Sequence, residues 1–155
     1  MTIEFNLGVK DKPYPYTERL RRVGGRQRRV RSSKTTGEVM EILEAKYGVI
    51  DAFYEDKKPQ IDKLCLRYLK ADLDHQMRGG AAAKNPLKGA MSEIEEMFHR
   101  FLDKRQVEKL GIPGVPTQAA LMGVKHVRGK KTIVGRRPSF VDTGLYRDSF
   151  HAWVD

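Results

Sequence analysis

The sequence predicts an α+β fold in one domain over residues 1–155: two to three longer helices packed on a small antiparallel β-sheet, with long basic arms or loops. Three observations carry this expectation. Over residues 60–78, Ile61, Leu64, Cys65, Tyr68, Leu69 and Leu73, with Met77 beyond, follow the i, i+3, i+4, i+7 spacing of one helix face. A second stripe of Ile94, Met97, Phe98, Phe101, Leu102 and Val107 follows Ser92 and Glu95, which are spaced as a capping box. Finally, β-prone runs at 2–7 and 150–154 place a strand at each end of the chain, so the sheet is expected to join the two ends.

Taken in order, residues 2–7 alternate polar and apolar, and Gly8 is expected to end that strand. Residues 10–34 hold Pro13, Pro15, Gly24 and Gly25 among many arginines and read as a long arm or loop. The helical core is assigned to 35–110. Its first helix spans about 37–47, capped by Thr35 or Thr36, with Val39, Ile42 and Leu43 inward and Gly48 as the stop. Residues 49–58 are helical, and Pro59 is expected to force a break or a new first turn. Residues 79–83 (Gly-Gly-Ala-Ala-Ala) close the next helix, and Gly111 stops the one after Ser92. The remainder, 111–155, reads as a Pro/Gly linker, a basic loop and a C-terminal turn and strand. In it Thr117 caps a helix over 118–124, and Thr132, Ile133 and Val134 form a short strand.

The net charge of +10 is unevenly placed. Residues 10–34 hold ten Lys/Arg against Asp11 and Glu18, including Arg19, Arg21, Arg22, Arg26, Arg28, Arg29 and Arg31 within thirteen positions. Residues 125–137 hold Lys125, Arg128, Lys130, Lys131, Arg136 and Arg137 with no acid, so the rest of the chain is net acidic. Two basic segments on an acidic body suit either the acidic surface of neighbouring subunits, along which they would order on assembly, or a nucleic-acid backbone. Aromatic residues near the arginines are limited to Tyr14 and Tyr16, so base stacking is not suggested.

The chemistry-bearing patterns each meet a plainer reading. Glu96 and His99 have the E-x-x-H spacing of di-iron bundles, and Asp72 and His75 are spaced alike. Helical geometry puts Glu96 and His99 opposite the apolar stripe, so they read as a solvated face, and no metal or other cofactor is expected. No nucleophile motif surrounds His75, His99, His126 or His151, and no phosphate loop is present, so the chain is not expected to be an enzyme and no catalytic residue is assigned. Gly111-Ile112-Pro113-Gly114 matches the bare G-x-x-G of a KH loop but has an apolar interior; it reads as a rigid connector. The single cysteine, Cys65, reads as a buried thiol. No apolar run approaches ~18 residues and no signal-peptide pattern follows Met1, so neither membrane contact nor export by that route is expected.

The stretch from Pro138 onward reads as an assembly element. Asp142 or Thr143 is placed to accept from the free N–H groups of a short helical turn. Gly144 supplies freedom at the bend, Leu145 is expected to point inward, and Phe150, His151, Ala152, Trp153 and Val154 form a strand.

Residues 137–150, Arg-Pro-Ser-Phe-Val-Asp-Thr-Gly-Leu-Tyr-Arg-Asp-Ser-Phe, resemble the P-x-[LIF]-[VI]-D-T-G-x-L-x-x-S-[IF] stretch of tail-completion and neck proteins of tailed bacteriophages, a group of small virion-morphogenesis proteins. Here Leu145 directly follows Gly144, one position earlier than in the commonest form. The resemblance is strong from 111 and extends weakly back to about 60; the arginine segment has no counterpart. It implies helices on a small antiparallel sheet and a homo-oligomeric ring, often a hexamer, at the head–tail junction or tail terminus. It further implies a neck, tail-completion or tail-terminator role in the virion, with connector or adaptor, tail-terminator and tail tube or sheath proteins as partners, and assembly in the host bacterial cytoplasm. Pro138, Phe140, Asp142, Thr143, Gly144, Leu145, Ser149, Phe150 and Trp153 are the interface residues expected on this basis. The two basic segments would then meet acidic partners or DNA. The alternative is a basic nucleic-acid-binding protein contacting the phosphate backbone.

Overall fold

The computed structural model describes residues 4–14, 17–23, 26–32, 34–127 and 130–155, with side chains described except at 17–23, 26–32, 126–127 and 130. It is an α+β fold. Three long helices and short helical pieces pack on one face of a two-stranded antiparallel sheet made of β1 (Phe5–Val9) and β6 (Phe150–Val154). The register runs from Phe5 opposite Val154 to Val9 opposite Phe150, so the expected sheet joining both ends is present. Thr2 and Ile3 of the expected first strand lie outside the described residues.

Gly8 does not end β1 but sits within it, opposite His151. The Trp153 ring lies over this position: a Cβ on Gly8 would stand 3.2 Å from the indole Cη2. The strand therefore continues through a glycine because a neighbouring ring occupies the side-chain space.

The arginine segment is not an irregular loop. It forms a hairpin of β2 (Thr17–Val23) and β3 (Arg26–Ser32), which among the described residues pair only with each other. Val23 is opposite Arg26, so the two residues between them in sequence are Gly24 and Gly25, a dipeptide that two-residue hairpin connections favour. Pro13 pairs with Thr35 in an isolated bridge, bringing the two flanks of the hairpin together.

α1 (Thr36–Tyr47) starts and stops where its residues dictate. The Thr35 hydroxyl accepts from Glu38 N and the Glu38 carboxylate accepts from Thr35 N, while Gly48 takes the left-handed conformation at φ 57°. Val39 and Leu43 pack toward the core as expected, but Ile42 is turned outward and Met40 takes part instead.

α2 (Val49–Met77) is one helix of 29 residues that runs through Pro59, contrary to the expected break. Pro59 and Glu55, whose carbonyl loses its helical donor there, both lie on the exposed side, so water satisfies the freed oxygen. Ile61 and Leu64 are buried and Cys65, Tyr68 and Leu69 partly so, whereas Leu73 and Met77 are exposed because the helix extends beyond the core. The Cys65 thiol is half-buried, and burial with the nearby Asp62 charge pushes its pKa up.

α3 (Lys88–Asp103) begins a turn earlier than the proposed capping box. The turn before it is held by Asn85, whose side chain accepts from Leu87 N at 3.2 Å and whose carbonyl accepts from Lys88 N at 3.3 Å. Ser92 is therefore inside the helix, bonded back to the Lys88 carbonyl, and Glu95 reaches the sheet. The helix ends at Asp103, well short of Gly111, and Val107 is buried from a separate 3-10 turn, Val107–Lys109. His99 is not solvated as expected. Its Nε2 is buried without a hydrogen-bond partner, while Glu96 remains exposed. Among the described residues, no cluster of three His, Cys, Asp or Glu is placed to hold a metal, and no helix is long and apolar enough to cross a membrane.

Beyond α3, residues 111–116 form the irregular connector, with left-handed Gly111 and Gly114. α4 (Gln118–Leu121) is capped by Thr117 as expected but is shorter, because Gly123 turns left-handed and Val124 enters a second small hairpin. That hairpin pairs β4 (Val124–Val127) with β5 (Lys130–Ile133). α5 (Leu145–Ser149) then leads directly into β6.

The core is aromatic at its centre. Phe53 of α2 meets Phe98 and Phe101 of α3 and Phe150 of β6 with ring centroids 5.1–5.7 Å apart, all edge-on. Phe98 stacks on Phe150 at 3.9 Å and 16°. Such pairs add about 0.5–1.5 kcal/mol each beyond their buried area, and they lock the C-terminal strand onto the helices.

Candidate assembly surface

The stretch from Arg137 to Trp153 has two parts, a turn anchored to the body and a strand that presents one face outward. Arg137 holds the turn. Its guanidinium donates to the carbonyls of Val124 at 2.6 Å, Pro138 at 3.2 Å and Val141 at 2.8 Å, and lies 3.9 Å from Asp142. With its side chain only 12% exposed, Arg137 is a structural tie, not the partner-facing charge expected of the second basic segment.

Beside it, Glu108 gathers three donors. Its carboxylate accepts from Ser139 N at 3.1 Å, from the Ser139 hydroxyl at 3.0 Å and from Arg136 at 3.0 Å, and the same hydroxyl oxygen accepts from Thr117 N at 3.2 Å. Ser139 is fully buried. Burial, the strongest influence, acts to raise the Glu108 carboxyl, but the Ser139 donors and the Arg136 guanidinium outweigh it and hold it below its ordinary value. A carboxyl lowered on folding contributes stability in full above its ordinary value and loses it as pH falls through the lowered one. The urea midpoint should therefore drop on acidification below about pH 4.5, the ordinary value, and Glu108→Gln should flatten that drop. An equal acid sensitivity in the variant would rule out this cluster as its source. Neither Glu108 nor Ser139 was expected from the sequence, since nothing in their spacing of 31 residues links them.

The turn itself is strained. Phe140 adopts a left-handed φ of 66°, held by its ring against Tyr47 at 5.1 Å. Gly144 has φ 85°, the freedom expected at the bend, and the Thr143 hydroxyl accepts from Leu145 N at 3.3 Å. Leu145 is only half-buried and stands outside the core, contrary to expectation; its neighbour Tyr146 fills that place at 3% exposure. The five-residue helix turns Tyr146, not Leu145, toward Phe98. Arg147 grips both Asp103 oxygens at 2.7 and 2.9 Å, fixing α5 against the end of α3. Together the turn and α1 wall a cleft of about 350 Å³ that also exposes Tyr14, whose hydroxyl is pushed up to about 12 by burial and by the Asp142 charge.

The strand alternates. Phe150 and Ala152 are buried, while His151 and Trp153 face outward with rings stacked at 5.7 Å. The Trp153 indole is 36% exposed, and its N–H donates to Asp155 at 3.3 Å. Ser149 is buried, with its hydroxyl on the Tyr146 carbonyl. Pro138 and Asp142 are half-buried in the turn.

The two edges of the β1–β6 sheet differ. Glu95 of α3 bonds His151 Nδ1 at 2.5 Å and accepts from the Ala152 amide at 3.2 Å, closing the outer edge of β6. Among the described residues no strand pairs with the other side of β1, and a shallow cavity of about 370 Å³ lined by Phe5, Leu7, Ile50, Asp51 and Tyr54 runs beside it. An open strand edge next to a depression that admits side chains is the geometry of strand addition.

Of the expected basic residues, Lys125 is half-buried on β4, Lys131 is exposed on β5, and Arg136 is paired with Glu108. Lys130 lies on β5. Arg128 is outside the described residues. Arg19, Arg21, Arg22, Arg26, Arg28, Arg29 and Arg31 occupy β2 and β3, where their side chains also lie outside the described part. No protein-family model, curated protein or solved structure matches the chain.

Proposed function

We propose that the protein is a structural subunit of a tailed-phage virion that forms a ring at the head–tail junction or tail terminus and joins connector to tail. The observation that carries the reading is the asymmetric sheet. β1 offers an open edge, β6 is closed by Glu95, and Trp153 stands on the outward face between them. A neighbour that adds a strand to β1 would cover Trp153 or its surroundings, and the unequal edges favour a head-to-tail contact, the kind that closes into rings. The resemblance of residues 137–150 to phage tail-completion and neck proteins supports the same reading, with connector, terminator and tail proteins as the partners.

Light scattering and negative-stain imaging of the purified protein test it. Rings, or particles bound at a tail end, are expected. Trp153→Ala should weaken subunit association about 30-fold, the effect of losing a central aromatic anchor worth ~2 kcal/mol, while thermal unfolding of the subunit changes little. A protein that stays monomeric at high concentration, or a Trp153→Ala variant that assembles normally, would defeat the reading.

A further inference from the structure

We infer that the β2–β3 hairpin is a binding surface for the phosphate backbone of duplex nucleic acid. The ladder places arginine at 19, 21 and 22 on one strand and at 26, 28, 29 and 31 on the other, with Glu18 the sole acid in either. Arg21 is directly opposite Arg28. Like charges at opposed positions destabilise a strand pair, and a lone two-stranded hairpin is marginal even without them. Among the described residues β2 and β3 pair only with each other, and the hairpin's single acid, Glu18, stands opposite Arg31, so an external anion would relieve the remaining charge.

A second copy of the chain is a poor source of that anion. Several carboxylates on its body are already engaged: Glu93 with Arg67 and Tyr68, Glu95 with His151, Asp103 with Arg147, Glu108 with Ser139 and Arg136, and Asp72 with Gln76 and the Ala83 amide. Taking these carboxylates would break bonds that hold the fold, whereas phosphates carry no such cost.

The hairpin also selects the form of nucleic acid. Neither strand contains Phe, Tyr or Trp, so it lacks the stacking platforms used on single strands. Seven residues per strand give a ribbon roughly 23 Å long at ~3.3 Å per residue, and two-stranded ribbons fit the ~12 Å major groove. The β4–β5 hairpin repeats the plan on a smaller scale, with Lys125, His126, Lys130 and Lys131 along its ladder.

The test is fluorescence anisotropy of the full chain with a random-sequence DNA duplex and with single strands of the same sequence, across a salt series. Duplex binding without sequence preference is expected, with log affinity falling against log salt at a slope of about −4 to −6, roughly 250- to 4,000-fold between about 50 and 200 mM. The triple variant Arg21→Gln, Arg28→Gln, Arg29→Gln should reduce that slope by about 2 to 3, and lysine at the same three positions should restore it. Near-UV circular dichroism of both variants checks that the aromatic core is intact. No duplex binding at low salt, preference for the single strand, or an unchanged slope in the glutamine variant overturns the inference. So does loss of oligomers in that variant with duplex binding preserved, since the hairpin would then serve a neighbouring protein. Light scattering on the same samples reads the ring separately: a monomer that binds duplex with the expected slope supports the hairpin site and defeats the ring.

Discussion

Phe98→Ala should cost about 3–5 kcal/mol, the largest loss expected from any single truncation in this core. Phe98 is fully buried and meets rings from every layer: Phe53 of α2 at 5.1 Å, Tyr146 of α5 at 6.2 Å and Phe150 of β6 at 3.9 Å. Removing it leaves a cavity between stiff rings that cannot collapse into the space, so the cavity cost adds to the lost transfer energy. Against a total stability of about 5–15 kcal/mol this brings the protein close to unfolding in mild conditions. Urea titration followed by far- and near-ultraviolet circular dichroism measures it. Leu66→Ala on the same bundle, 66% exposed, should change stability by less than about 0.5 kcal/mol. A loss below about 1 kcal/mol for Phe98→Ala would mean that the aromatic cluster is not the centre of the core.

Gly123→Ala is expected to be nearly as severe for a different reason. Gly123 has φ 65°, and a Cβ there would overlap the backbone carbonyl of Gly135. Alanine in the left-handed region costs about 1–2 kcal/mol by itself. The overlap adds to it, because backbone cannot rotate away as a side-chain tip would. Relief requires pulling residues 134–137 off α4, which sacrifices the bonds from Val134 N to the Gly123 carbonyl at 3.0 Å and from Arg137 N to the Ala120 carbonyl at 3.0 Å. Gly135 is the internal control. It also has positive φ, at 82°, but its missing Cβ faces open space, so Gly135→Ala should show only the conformational cost. At about 2–4 °C per kcal/mol for a chain of this size, a thermal melt should separate the two by roughly 5–10 °C. Equal melting temperatures would remove the close approach as the reason for glycine at 123.

The sequence was readable where one physical effect decides a position alone. The Thr35 cap and the Gly48 stop of α1 rest on local hydrogen bonding and on left-handed backbone, and both are where their residues place them. The inward face of Ile61, Leu64, Ile94, Phe98, Phe101 and Leu102 follows from helical period. The bend at Thr143 and Gly144 was legible for the same local reasons. Misreadings came where two local signals competed and distant structure decided. Pro59 looked like a break because its sequence does not say that the carbonyl it orphans faces water. Ser92 and Glu95 have capping-box spacing, but the helix already begins at Lys88, and Glu95 is used 56 residues away on His151. Arg137 looked like one more charge in a basic run until three carbonyls converged on it. Gly24 and Gly25 were read as looseness between arginines, although the same pair is a turn signal between β-prone strands. For the candidate surface, the outward Trp153 belonged to the expected strand, while the closed edge of β6 and the open edge of β1 depend on contacts from α2 and α3 that no local pattern encodes.

The pairing of β1 with β6 also governs the order in which the molecule can form. Asn6 bonds the Asp155 carboxylate across 149 residues of sequence, so this sheet is the most non-local element of the fold. Closing so long a loop is unfavourable until the helices already hold its flanks near each other, which makes the strand pair a late step in folding. Until it closes, the ring of Phe98 lacks its stacking partner Phe150, and the nascent helical bundle is adhesive at that site. Truncations of the core-facing residues of these strands, such as Leu7 and Phe150, should accordingly speed unfolding more than they slow refolding. The surface proposed to meet neighbouring subunits is thus the last to be completed, so a subunit becomes competent to assemble only once its own core is sealed.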